Sequence, residues 1–160
     1  MAEERIGHLL KLPIESVKQK IEAKPLVPCL PTEVADVLKD LHAAVDDGSY
    51  VPQTPTEYNP SLSEEYIFDT EDENLILKDL KQDNFVGKVN DLSKGAEKRK
   101  EKGLPQEYLY VFHYPCKLTR KDADESGLVS ENVLIYIKIN NRKIPYEKVF
   151  IVSFHKNREK

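Results

Sequence analysis

The chain has 160 residues, enough for one domain with a substantial core, and its two cysteines, Cys29 and Cys116, show no CxxC spacing that would suggest a zinc site or a redox pair. The longest apolar runs, such as VLIYI, are too short to cross a bilayer, so a reducing, cytoplasmic home without membrane contact is expected. The net charge of -4 conceals a division: residues 1–80 carry 7 Lys and Arg against 17 Asp and Glu, residues 81–160 carry 17 against 11. Either the basic half meets a polyanion or an acidic protein, or the two halves neutralise each other on folding.

The first 48 residues read as a helical segment. Pro13 suits the first turn of a helix reaching Ala23, with Ile14, Val17 and Ile21 on one stripe. A second helix is expected from a Thr32 cap to Gly48, burying Val34, Val37, Leu38, Leu41 and Val45, with His42 beside that stripe in a structural role. Residues 49–62 carry Pro52, Pro55 and Pro60 and read as an extended linker, leaving residues 63–160 as an α+β sheet domain.

In that domain, EEYIFDTEDENLILKDL reads as a hairpin turning at DTEDEN, and a helix is expected from Asp83 with Phe85, Val89 and Leu92 inward. Its far end, Lys94 to Lys102, is strongly basic. EYLYVFHY, NVLIYIKI and KVFIVSFH are the three strongest strand signals; the first and third are apolar on both faces and are expected inside the sheet. Val133, Ile135, Ile137 and Ile139 form the buried face of the second, and the short INNRKIPY connection suits antiparallel neighbours. The predicted fold class is therefore α+β, N-terminal helices followed by a mostly antiparallel sheet packed against a basic helix.

There is no GxGxxG, Walker, HExxH or GxSxG motif, so dinucleotide, P-loop and common hydrolase chemistry lacks sequence support. The four histidines, His8, His42, His113 and His155, are not at ligand spacing, and no metal or cofactor is expected. DADESG opens like a calcium loop at Asp122, Asp124, Ser126 and Gly127, but the closing Glu position is Val133; a polar loop between strands is the plainer reading. The cations Lys98, Arg99, Lys100, Arg120, Lys121, Arg142 and Lys143 would form a phosphate-binding surface if the fold gathers them; the alternation of Lys and Glu in AEKRKEK also describes a solvated helix. His155, followed by Lys156 and Arg158, is the better placed of two strand-end imidazoles for proton transfer. Tyr108, Tyr110, Tyr114, Tyr136 and Tyr146 suit base stacking or strand packing.

A basic helix, then EYLYVFHYPCKL, VLIYIKINNRKIPYEKVFIVSFHK and a basic end, over residues 64–160, resembles the small nucleases grouped as barnase, EndoU, colicin and RelE-like toxins. The resemblance implies metal-independent RNA cleavage, with His155 as acid or base, Lys156 and Arg158 stabilising the phosphate, and Arg120 or Lys100 as auxiliary charges. The acidic loop TRKDADESGLVSE and the negative overall charge depart from that pattern. Two other classes fit parts of the chain: a non-catalytic protein that binds a protein partner through its acidic N-terminal half, and a nucleic-acid-binding module that does not cut.

Overall fold

The computed structural model describes residues 4–6, 9–12, 26–55, 60–124 and 127–156. The helix expected over residues 13–23 lies outside them. In chain order the elements are β1 (Glu4–Ile6), β2 (Leu9–Lys11), α1 (Pro31–Asp47), α2 (Thr70–Asp79), β3 (Phe85–Asn90), α3 (Lys94–Glu101), β4 (Tyr108–Asp124), β5 (Gly127–Arg142) and β6 (Lys148–Lys156). This is an α+β fold whose strand pairings are all antiparallel. The sheet runs β1-β2-β4-β5-β6, and β3 pairs with the opening stretch of β4 on the edge that β2 occupies further along.

Helix α1 forms because its apolar residues recur at helical spacing: Val34, Val37, Leu38, Leu41 and Val45 are all buried. It starts one residue before the expected Thr32 cap. Pro31 takes the first turn, where its missing N–H costs nothing, and Leu30 is the N-cap without a side-chain bond. Gly48 ends it with φ of 70°, a left-handed conformation that lets its N–H reach the last carbonyls.

Two expectations for the middle of the chain are corrected. The stretch read as a hairpin is helix α2, because Asp69 and Asp72 close a reciprocal capping box, Asp72 N–H to Asp69 Oδ1 at 3.0 Å and Asp69 N–H to Asp72 Oδ2 at 2.9 Å. The stretch read as a helix from Asp83 is strand β3, and only its basic end is helical, as α3, with Ser93 as N-cap.

The core lies between one face of the sheet and the pair α1 and α2, where Leu41, Ile76 and Leu77 meet Phe112, Tyr114, Ile135, Ile137 and Ile139, each essentially inaccessible to solvent. The predicted buried face of β5, Val133 to Ile139, is the one observed. Of α3 only Ala96 is buried. Strand β4 is covered on both faces along residues 111–116, as expected, but β6 is not: it lies at the end of the strand order, and Val152 is 42 % exposed. Its outer edge is met by Val51, which exchanges backbone hydrogen bonds with Val149 and Ile151. The expected polar loop after Leu118 is instead a continuation of β4 and β5 into a long ribbon, with Thr119 opposite Ser130 and Asp124 opposite Gly127.

Candidate functional site

Alternation along a strand sends neighbours to opposite faces. On the face turned away from α1 and α2, His113 of β4, Tyr136 of β5 and His155 of β6 stand directly opposite one another in the ladder. Their rings form a row, with centroids 5.1 Å apart for His113 and Tyr136 and 5.7 Å for Tyr136 and His155. His113 is 2 % exposed, whereas Tyr136 and His155 are half-buried. Lys138 Nζ lies 5.2 Å from the Tyr136 ring centre, where the face of the π-system attracts a cation. The two imidazoles, on strands flanking a common neighbour, are thus joined by the phenol between them.

His155 reaches this face through an irregularity in β6. Ile139 pairs with Ile151, but Lys138 pairs with Ser153, so Val152 is an extra residue on β6. The bulge lets Ile151 and Phe154 both enter the core and moves His155 beside Tyr136.

The predicted cationic residues divide among separate places. Near the start of β4, Glu107 gathers Arg99 and Arg142: Glu107 Oε1 accepts from Arg99 Nη2 at 3.1 Å, from Arg142 Nε at 3.1 Å and from Asn140 Nδ2 at 2.9 Å. Asn140 also donates to Asp91 Oδ2 at 2.9 Å. Lys100 binds the Gln106 amide at 2.8 Å, and Lys98 is exposed on α3. Lys143 pairs with Asp40 of α1 at 2.7 Å. Toward the other end of the sheet, Arg120 pairs with Glu131 at 2.7 Å and Asp122 at 2.8 Å, Lys121 donates to the Ser63 carbonyl, and Lys156 pairs with Glu65 at 2.9 Å. Lys156 and His155, adjacent in sequence, therefore point to opposite faces. Asp122 serves Arg120, and Arg158 lies outside the described residues.

These pairs resolve the charge asymmetry. Glu33 binds Lys88, Asp40 binds Lys143, and Glu65 binds both Arg120 and Lys156, so acids of the first half neutralise cations of the second inside one fold. Burial works to raise the pKa of Glu33, Asp40 and Glu107. Hydrogen bonds outweigh it, from Lys88 and Tyr110, from Lys143 and Asn141, and from Arg99, Asn140 and Arg142 respectively, and each carboxyl sits below its usual range. Arg120 likewise holds Glu131 down. A carboxyl depressed in the folded state stabilises it above the unfolded pKa and ceases to as pH falls through the folded value. Urea midpoints are thus expected to be flat from neutral pH to about 5 and to fall steeply below about 4.

Glu107, Asn140 and Asp91 were not singled out by sequence reasoning, which had no periodic or spacing signal for a polar cluster assembled from three segments. His42 is half-buried in α1, with burial and then the Lys78 charge holding its pKa down. Among the described residues, no group of three or more His, Cys, Asp or Glu side chains is placed to hold a metal ion, and no helix is long and apolar enough to cross a membrane. Comparisons with protein-family models, curated proteins and solved structures found no match.

Proposed function

We propose that the protein is a metal-independent, toxin-type ribonuclease that works on the sheet face bearing His155 and Tyr136. The observation that carries this reading is the row of His113, Tyr136 and His155 rings, an imidazole and a phenol within reach of one another on a half-open sheet with a cation alongside. In the reaction the ribose 2′-oxygen forms a bond to the adjacent phosphorus, the P–O5′ bond breaks, the 2′-hydroxyl proton passes to a base and the leaving 5′-oxygen gains a proton. His155 is assigned proton transfer and Tyr136 positions its ring. Lys138, on this side of β5, supplies positive charge toward the phosphates, and Lys98 and Lys100 on α3 extend it along the strand of RNA; Arg142, buried against Glu107, is given a structural role. Lys156, held by Glu65 on the other face, is given a structural role here.

The partner-binding reading of the acidic first half loses Glu33, Asp40 and Glu65, which are engaged within the chain. The test is incubation with single-stranded RNA in EDTA, followed by analysis of the product ends. Cleavage leaving 2′,3′-cyclic phosphate is expected, with a loss of about 10²- to 10⁴-fold for His155→Ala and little change for Lys156→Ala. RNA that stays intact with the unmutated protein rules the reading out; a salt-dependent gel shift without cutting would assign a binding module instead.

A further inference from the structure

A cavity of about 220 Å³ opens between the start of α2, residues 61–63 and the end of β6. Its lining residues include Phe68 and Phe154, whose rings lie 6.0 Å apart at 44°, Ser61 and Ser63, whose hydroxyls bond each other at 2.8 Å, and two acids, Glu73 and Asp69, the latter accepting from the Asp72 N–H. Several half-buried carboxylates of this chain are neutralised by cations, Glu33 by Lys88, Asp79 by Lys11, Glu107 by Arg99 and Arg142, Glu131 by Arg120, while the buried Asp72 and Asp91 accept from the Asp69 N–H and the Asn140 amide. Glu73, which borders the cavity, has neither kind of partner among the described residues. Among the described residues no cation pairs with it, and its polar contact is the Tyr50 hydroxyl, which donates to Oε2 at 2.6 Å. Burial accordingly lifts its pKa, the Tyr50 hydrogen bond opposing this. The α2 N-terminus, which would otherwise favour an anion here, is already closed by the Asp69 and Asp72 capping box.

We infer that this cavity binds a small alkylammonium ion, whose charge Glu73 neutralises while the faces of Phe68 and Phe154 and the two serine hydroxyls surround it. The chemistry is that of an aromatic cage with Glu73 as its counter-charge: ring quadrupoles attract a weakly hydrated organic cation most strongly where water is excluded. A hydrated metal ion is a poorer match, since hard cations require six or more oxygen ligands or retained waters. The charged group can be a primary ammonium, as on a lysine side chain, or a methylated one, and two probes separate these.

The experiment is a titration of the intact protein with tetramethylammonium, n-butylammonium and neutral tert-butanol, followed by NMR shifts of the Phe68 and Phe154 rings. Saturable shifts are expected with the ammonium ions, tighter for n-butylammonium if a lysine-type primary amine is the natural group and for tetramethylammonium if a methylated amine is. Binding of tert-butanol should be at least about tenfold weaker, and Glu73→Gln, which keeps an acceptor for Tyr50, should weaken ammonium binding by about tenfold or more with little change in Tm. Equal binding of tert-butanol, undiminished affinity in Glu73→Gln, or no saturable shift with either ammonium ion would each overturn the assignment. None of these outcomes depends on RNA cleavage.

Discussion

Glu107→Gln is expected to lower the stability of the protein by roughly 3–5 kcal/mol, the cost of leaving buried charge unpaired. The Glu107 and Arg142 side chains are only 9 % and 10 % exposed, and one carboxylate answers two guanidinium groups and the Asn140 amide. Glutamine keeps the shape but not the charge, and its own amide protons then face those of Arg99 and Arg142. For a chain of this size the change corresponds to a fall in Tm of about 10 °C by calorimetry or circular dichroism. Lys143→Ala provides the contrast: the pair it breaks with Asp40 has a lysine 51 % exposed, and its loss should cost less than about 1 kcal/mol. Similar shifts for the two variants would mean that water screens the Glu107 cluster.

Leu41→Ala should be as damaging, at about 2–5 kcal/mol, because the truncated side chain leaves a cavity that surrounding residues cannot fill. Leu41 is fully buried in the cluster that also contains Ile137 of β5, which is equally inaccessible. A helix and a sheet that share one core unfold together. Leu41→Ala and Ile137→Ala are therefore both expected to shift a single urea transition, with far-UV dichroism and tyrosine fluorescence coincident. Two resolved transitions in either variant would show that α1 has a stability of its own.

The elements legible in the sequence were those whose pattern is purely local. Val34 to Val45 repeat at helical spacing, Val133 to Ile139 alternate, and Gly48 marks a helix end; each reading survives in the fold. Where two local signals compete, the fold follows the one with the firmer local chemistry. DTEDENL has the acidic capping pattern of a helix start, which outweighs the strand propensity of its flanks, and FVGKVN has the valines of a strand, which outweigh the helical spacing of Phe85, Val89 and Leu92. The ribbon beyond Leu118 was invisible because its pairing is mostly backbone hydrogen bonding between polar residues such as Thr119 and Ser130, not apolar alternation. The candidate site was legible only in its residue types. Whether His155 stands with Tyr136, and whether Arg120 and Arg142 meet, depends on register and sheet order, and the structure puts the first pair together and the second apart.

The extra residue at Val152 marks the point where β6 changes which of its side chains face the core. In KVFIVSFH an uninterrupted two-residue rhythm would put Val149, Ile151, Ser153 and His155 on one side; the inserted step reverses parity for everything after it. Exchanging the half-exposed Val152 for another residue leaves that parity untouched. Removing it would leave Ile151, Ser153, Phe154 and His155 in unbroken alternation against the same partners on β5, with the phenyl ring still inward and the imidazole still outward, so β6 carries one residue that its assignment of faces can spare.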